Sequence, residues 1–164
     1  GLTMASPTQR ALAHCRKQGW IAEIVESWNQ HSLTRRDLFN FADLLVLGSG
    51  GGSPLAVQVT SGSNHASRRT KILSEPRAEL WVRSGCRIEV WSFEKKGALG
   101  KSKRWEMRTE EIGWTAFEDQ IERCDGDDDE RDRASYDACR RRCLEHLEAI
   151  RSEKAERRRL KREQ

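Results

Sequence analysis

Long apolar segments are absent from the sequence. The longest uninterrupted apolar run is Leu44–Leu47, whereas a helix that spans a membrane needs about 20 apolar residues. We therefore expect no membrane-spanning segment. Internal repeats are absent as well, and 164 residues leave room for one ordinary domain with an appendage.

A pattern of paired cysteines is also missing. The five cysteines form an odd set without a Cys-X-X-Cys pair, and we find no signal peptide before them. Both features are typical of reduced thiols in the cytosol. We therefore expect a cytoplasmic protein.

Metal-binding residue types cluster toward the C-terminus. Cys139, Cys143 and His146 lie at helical spacings of four and three, with Cys124 upstream. This spacing matches no zinc-finger pattern, and a single helix cannot close a tetrahedral zinc site. Structural packing of the cysteines is the favoured interpretation, and zinc binding is the alternative.

An excess of positive charge is missing from most of the chain. The formal net charge is +4, but residues 151–164 hold seven Lys or Arg and three Glu, which is also +4. The remaining residues therefore sum to zero. We expect this basic tail to be a solvated helix end that adds only non-specific, salt-sensitive affinity for DNA.

Apolar periodicity and turn residues predict alternating helices and strands. Ser6 and Pro7 are typical of a helix start, and Gly19 is typical of a helix end. The predicted helices cover residues 8–18, 63–73, 76–84, 115–124 and 135–164, and the predicted strands cover residues 20–28, 38–47, 55–60, 86–93 and 104–108. This order predicts an α/β fold, with a central mixed β-sheet flanked by helices in residues 6–112 and a charge-rich helical extension in residues 113–164.

Polar residues stand at the ends of two neighbouring predicted strands. Asp43 lies at the mouth of a buried strand, and Gln58 and Thr60 share one face of the next strand. A buried carboxylate needs partners, and a magnesium ion with hard oxygen ligands would be one. We therefore predict metal ligation by Asp43 and Gln58, with Glu26 or Glu23 as a second carboxylate.

These residues resemble a known family. Asp43, a variable hairpin loop, the sequence Gln58-Val59-Thr60 and a following helix with basic residues are similar to the PD-(D/E)XK nuclease superfamily, which includes Holliday-junction-resolvase-like and phage-type members. The resemblance covers about residues 6–112. It implies a restriction-endonuclease-like core, a Mg²⁺ or Mn²⁺ cofactor, DNA as the partner and a homodimer.

The resemblance also implies roles for individual residues. In that family the aspartate and an acidic residue of the next strand bind the metal, and a lysine two positions later orients and activates the attacking water. Asp43 matches the first position, but Gln58 replaces the acidic residue and Thr60 replaces the lysine. Glutamine can still ligate through its oxygen, whereas threonine supplies no positive charge. We predict that Lys71, or Arg68, takes the place of the lysine and that Thr60 orients water.

Basic residues flank the predicted site on both sides. The candidates for nucleic-acid contacts are Arg35, Arg36, Asn64, Arg68 and Arg69. Arginine side chains and helix N-terminal N–H groups near Asn64 would suit phosphates. The alternative is that Arg36 pairs with Asp37 or Asp43 and that the helix arginines are only solvated.

Four more residues receive structural interpretations. We expect Trp81, Trp91 and Trp105 to pack in the core or on strands rather than to stack on bases. His65, near a helix start, is expected to be a cap or surface residue rather than a general base.

Three functions are compatible with these patterns. The first is a metal-dependent DNA endonuclease or resolvase-like phosphodiesterase. The second is a catalytically inactive nuclease-fold module for DNA binding or assembly, which the Gln58 and Thr60 replacements suggest. The third is an interaction protein whose C-terminal helix pairs with a protein partner, although that helix lacks a sustained heptad pattern.

Overall fold

The computed structural model describes residues 4–120 and 128–163, with side chains described for residues 4–117 and 133–163. The chain divides into two units, residues 1–117 and 118–164. The first unit is an α/β fold, with a five-stranded mixed sheet flanked by helices. The second contains a 35-residue helix. Among the described residues, no helix has the length and apolar character that crossing a membrane requires.

The elements follow the predicted order. The helices are α1 (Pro7–Gln18), α2 (His65–Leu73), α3 (Pro76–Arg83) and α4 (Asp128–Arg162), and two 3-10 turns cover Gly62–Asn64 and Trp114–Gln120. The strands are β1 (Ile21–Ile24), β2 (Ser27–Asn29), β3 (Thr34–Arg36), β4 (Leu44–Leu47), β5 (Leu55–Ser61), β6 (Arg87–Lys96) and β7 (Arg104–Glu111).

The main sheet has the order β1-β4-β5-β6-β7. All neighbouring strands are antiparallel except β5 and β6, which run parallel. A parallel pair needs a long crossover, and α2 and α3 provide it. Strands β2 and β3 form a separate antiparallel ribbon.

Alternating side chains of the strands pack against helices on both faces of the sheet. Leu55, Val57 and Val59 face α1, where Ala11 and Cys15 complete one buried cluster. On the opposite face, Ala56, Ile88 and Val90 pack with Ile72 of α2 and Ala78 of α3. The predicted alternation of β5 is confirmed, and it directs Gln58 and Thr60 to the side of α2 and α3.

The start of α1 follows its capping signals closely. Ser6 Oγ accepts a hydrogen bond from the Gln9 backbone N–H at 3.2 Å, and Gln9 Oε1 accepts one from the Ser6 N–H at 3.0 Å. This reciprocal pair is a capping box. The helix ends at Gly19, whose φ of 74° suits a residue without a side chain.

Two predicted strands are shorter in the structure. The strand predicted at residues 20–28 ends at Ile24, after which the chain enters the separate β2–β3 ribbon. The strand predicted at residues 38–47 begins only at Leu44, because Phe39 and Asn40 have φ values of 50° and 66° and form a turn. A bulky residue with positive φ costs about 1 to 3 kcal/mol, so Phe39 is held there by its surroundings.

The three tryptophans lie in the core or on strands as predicted, whereas the prediction for His65 is wrong. Trp105 lies on the edge strand β7 and is 39% exposed, and the Arg10 guanidinium lies 3.7 Å from the centre of its ring. Trp91 is buried and Trp81 is partly buried against the core, as expected. His65 is not a surface residue, since only 2% of it is exposed.

His65 is the centre of a polar network that fastens α2 to the edge of the sheet. Its Nδ1 lies 2.7 Å from Ser92 Oγ on β6, and its Nε2 lies 2.8 Å from Glu110 Oε2 on β7. Arg69 Nε donates to the other Glu110 oxygen at 2.7 Å. Burial raises the pKa of Glu110, but hydrogen bonds from His65 and Arg69 outweigh it, so this pKa lies below its ordinary value of 4.5.

We expect the Glu110 network to make the fold sensitive to acid. A carboxyl group with a lowered folded pKa contributes stability above its unfolded pKa, and this contribution is lost as the pH falls through the folded pKa. Below pH 4.5, the wild type should therefore lose stability more steeply than Glu110→Gln. Urea unfolding at pH 7, 4.5 and 3.5 measures the difference. The control is Glu111→Gln, which changes an exposed neighbour on the same strand; an equal acid response in Glu110→Gln and wild type would contradict this expectation.

Candidate metal and phosphate site

A polar pocket of about 390 Å³ opens where β4 and β5 approach α2. We call it the acidic pocket, although its lining carries both signs of charge. It is lined by Thr8, Glu26, Arg35, Arg36, Asp37, Asn40, Asp43, Gln58, Val59, Arg68 and Lys71. The lining thus holds three carboxylates and four cationic side chains.

The backbone fixes Asp43 at the base of this pocket. Its N–H donates to the Val57 carbonyl at 2.9 Å, and its carbonyl accepts from the Val25 N–H at 2.9 Å. Asp43 therefore links the end of β1 and the start of β4 to β5. The register that pairs Leu44 with Val57 places Asp43 opposite Gln58, so the two polar side chains share one face.

One oxygen of Asp43 accepts two hydrogen bonds from β5. Gln58 Nε2 donates to Asp43 Oδ2 at 2.5 Å, and the Val59 backbone N–H donates to the same oxygen at 2.7 Å. Both side chains are almost fully buried, at 6% exposure for Asp43 and 1% for Gln58. Within the described side chains, the Gln58 Oε1 atom is buried and has no hydrogen-bond partner, which is a costly state for a polar atom.

Two more carboxylates reach Asp43 from the β2–β3 ribbon. Glu26 directly precedes β2 and Asp37 directly follows β3, so the antiparallel pairing brings them to the same end of the ribbon. One oxygen from each of Glu26, Asp37 and Asp43 lies within 4.8 Å of the others. Of the acidic, histidine and cysteine groups in the described residues, this is the one that could hold a metal ion.

The crowding of these carboxylates perturbs Asp43. Burial raises the pKa of Asp43, the hydrogen bond from the Val59 N–H opposes this change, and the nearby Asp37 and Glu26 raise it further, to about 7. Burial makes a negative charge on Asp43 costly, and the two neighbouring carboxylates add to this cost. Asp43 is consequently a poor site for an unpaired negative charge at neutral pH.

Positive side chains border the carboxylate cluster. Lys71 Nζ donates to Asp37 Oδ2 at 2.6 Å, and Arg35 Nη1 donates to Glu26 Oε1 at 3.0 Å. Arg68 lies three residues before Lys71 on α2, so both project from the same side of that helix into the pocket. Arg36 completes the basic border from β3.

The donor set fits a hard divalent cation. Glu26, Asp37 and Asp43 offer carboxylate oxygens, which magnesium and manganese prefer. Gln58 Oε1, for which the described residues provide no hydrogen-bond donor, is a further oxygen at the pocket. A cation bound by these residues would offset the repulsion that raises the Asp43 pKa.

The pocket contains most of the residues that the sequence indicated. Asp43, Gln58, Glu26, Lys71, Arg35, Arg36 and Arg68 all line it. Three predicted residues do not. Thr60 is buried on β5 beyond the pocket. The Asn64 side chain donates to Ser61 Oγ instead of facing the pocket. Arg69 projects about 100° around α2 from Arg68, so it pairs with Glu110. Asn64 is also not a side-chain cap of α2.

The sequence did not indicate every residue of the carboxylate cluster. It suggests Asp37 as an ion-pair partner of Arg36, but Asp37 is a member of the cluster and pairs with Lys71. Its position directly after the basic residues of β3 was the available signal. Glu23 lies on β1 and is exposed outside the cluster, so Glu26 is the carboxylate brought to Asp43. For the zinc interpretation, Cys124 lies outside the described residues.

No protein-family model matches the chain, and neither a curated protein nor a solved structure matches it.

Asp43→Asn should stabilise the protein at alkaline pH in the absence of metal. Because the folded pKa of about 7 exceeds the ordinary value of 3.8, the folded state keeps a proton that the unfolded chain has released. Stability therefore falls as the pH rises between these two values, and asparagine removes this effect. We expect a gain of about 1 to 2 kcal/mol at pH 8 and a smaller difference at pH 4. Urea unfolding in EDTA measures it, with Glu23→Gln as the exposed control.

Magnesium should raise the melting temperature of the wild type through the same cluster. Bound metal stabilises the folded state by mass action, and it competes with the proton on Asp43. The shift should therefore be larger at pH 8 than at pH 6 and absent in Asp43→Asn. Differential scanning fluorimetry over a Mg²⁺ and Mn²⁺ series tests this; a shift that persists undiminished in Asp43→Asn would place the metal elsewhere.

Proposed function

We propose that this protein is a metal-dependent phosphodiesterase acting on DNA, a member of the PD-(D/E)XK nuclease superfamily with a displaced lysine. One observation carries the proposal. Glu26, Asp37 and Asp43 converge within 4.8 Å, and the ammonium group of Lys71 contacts this cluster at 2.6 Å. Hydrolysis of a phosphodiester needs both hard-cation ligands and positive charge for the phosphoryl oxygens.

The order of elements supports the same proposal. A helix, three strands of the main sheet, helices and two further strands occur in the order that apolar periodicity predicts for residues 6–112, the segment to which the resemblance applies. Asp43 stands immediately before the second of these three strands, and Gln58 lies on the third. The acidic pocket thus lies at the position that the resemblance implies for an active site.

The proposal assigns each group of residues in the pocket a role. Glu26, Asp37 and Asp43 would hold Mg²⁺ or Mn²⁺, which when bound polarises a phosphoryl oxygen and lowers the pKa of a bound water. Lys71 replaces the lysine that Thr60 cannot supply, since its ammonium lies at the edge of the cluster. Arg36 and Arg68 bind the phosphates on either side of the reacting group.

Gln58 has a positioning role in this proposal. Its amide N–H and the Val59 N–H both hold Asp43 Oδ2, which leaves the other Asp43 oxygen for the cluster. The resemblance implies an acidic residue on β5, and in this proposal Asp37 and Glu26, which flank the β2–β3 ribbon, supply carboxylates in its place.

A second candidate function is a DNA-binding or assembly module without catalysis. The observation in its favour is that Gln58 and Thr60 stand on β5 where the resemblance implies a carboxylate and a lysine. Such a module would keep the arginine contacts with phosphates and would not hydrolyse the DNA. A homodimer, and a protein partner on α4, remain predictions of the sequence.

Cleavage assays separate the two candidates. We expect the wild type to cut supercoiled plasmid, single-stranded or branched DNA in Mg²⁺ or Mn²⁺, and Asp43→Ala and Lys71→Met to lose at least about a hundredfold in rate. Glu23→Ala is the matched control, because it removes an exposed carboxylate outside the cluster. Salt-sensitive binding without cleavage in any divalent metal would favour the inactive module, and cleavage unchanged in Asp43→Ala would refute the active site.

DNA binding should depend on the arginines of the pocket rather than on Arg69. Arg36→Ala and Arg68→Ala should each weaken binding uniformly across sequences and reduce the slope of log affinity against log salt by about one. Arg69→Ala should leave the slope unchanged, because its guanidinium pairs with Glu110. Fluorescence anisotropy from about 50 to 200 mM salt gives the slopes.

A further inference from the structure

The turn that joins Asp37 to Asp43 presents an aromatic side chain away from the carboxylates. The Phe41 N–H donates to the Leu38 carbonyl at 3.1 Å, and both residues between them, Phe39 and Asn40, have positive φ. Turns of this kind favour Asn, Asp or Gly at both central positions. A phenylalanine at the first central position is therefore unexpected, and it is 43% exposed.

Phe39 forms one wall of a second pocket, which we call the aromatic pocket. It has a volume of about 330 Å³ and is lined by Phe39, Arg77, Leu80, Trp81, Ser84 and Cys86. The ring of Phe39 lies 6.4 Å from that of Trp81 and 6.5 Å from that of Phe41, measured between ring centres. The exposed wall is therefore mostly apolar, and two of its side chains, Phe39 and Trp81, are aromatic.

The two pockets meet at one peptide unit. Asn40 lines the acidic pocket and Phe39 lines the aromatic pocket, and consecutive Cα atoms lie about 3.8 Å apart. Glu75 connects residues of the two pockets. Its carboxylate accepts a hydrogen bond from Asn40 Nδ2 at 3.3 Å and one from Arg77 Nε at 2.8 Å. A ligand in the acidic pocket therefore has a rigid aromatic cavity next to it.

We propose that the aromatic pocket receives an unstacked nucleobase of the nucleic acid whose phosphate lies in the acidic pocket. This inference rests on the proposed function and names its substrate class, which is DNA with an unpaired nucleotide beside the reacting phosphate. Bases leave the stack most readily where they are unpaired or at the end of a strand. Aromatic side chains then stack on them with little dependence on the sequence.

The position of the pocket favours a base over an apolar side chain of a protein. A base is covalently attached to the phosphate backbone that the neighbouring arginines would bind, so one ligand fills both pockets. Along the chain, Phe39 also stands between Asp37 and Asp43, two carboxylates of the cluster, so the aromatic wall and the proposed metal ligands belong to one short segment.

The test compares two DNA duplexes that carry one 2-aminopurine, either paired or unpaired and extrahelical. Binding of the full chain is followed by anisotropy and by 2-aminopurine fluorescence, in EDTA so that metal-dependent cleavage does not interfere. We expect the wild type to bind the unpaired form about tenfold more tightly and to change its fluorescence through stacking. Phe39→Ala should abolish this preference and leave the affinity for paired DNA unchanged.

Two variants serve as controls. Phe39→Tyr keeps a stacking ring and should keep the preference, and Trp105→Ala removes a comparably exposed aromatic from the edge strand and should also keep it. Because Phe39 is exposed, thermal melting should show that its variants remain folded. An unchanged preference in Phe39→Ala, or an equal loss of affinity for both duplexes, would overturn the inference.

The inference and the proposed function fail in different ways. If neither duplex binds in a manner that depends on salt and on Arg36, the proposed function fails and the base pocket fails with it. If both duplexes bind through Arg36 with equal affinity, only the base pocket fails. Enhanced binding of the unpaired duplex that is insensitive to Phe39 would place the base elsewhere and would also overturn the inference.

Discussion

The burial of one carboxylate organises the first unit of this protein. Asp43 is held by backbone hydrogen bonds to Val57 and Val25 and by two donors from β5, so it cannot move away from the neighbouring carboxylates. The same contacts that align three strands hold this carboxylate in a buried position next to two others. Burial and these neighbours raise the pKa of Asp43. The alignment of the strands and the crowding of the carboxylates therefore have one structural origin.

The sequence predicted those parts of the structure that depend on local rules. The capping residues located the start of α1, and the alternation of β5 placed Gln58 on the polar face of that strand. Each prediction needed only the geometry of a single element. The placement of Asp43 before a buried strand followed from the apolar run Leu44–Leu47 alone.

The remaining parts of the site depend on contacts between elements. The sequence alone did not place Asp37 in the cluster. Its position depends on the pairing of β2 with β3, and these two strands have three residues each and no clear apolar alternation. Phe39 was missed because its positive φ contradicts the preference of its residue type. The burial of His65 likewise depends on partners 27 and 45 residues away in the chain. Such features follow from tertiary structure, which overrides local preference.

The β2–β3 ribbon also affects how the site could change during evolution. Two of the three carboxylates in the cluster stand at the ends of this ribbon, where the chain leaves the main sheet after β1 and returns to it before β4. The two ends of segment 26–37, which we call the cassette, thus lie close to Asp43. A cation bound there would act as a reversible cross-link between this segment and the main sheet. Insertions at the tip of the cassette would lengthen a loop without disturbing its closed ends, so this segment is free to diversify while the chemistry beneath it stays constant.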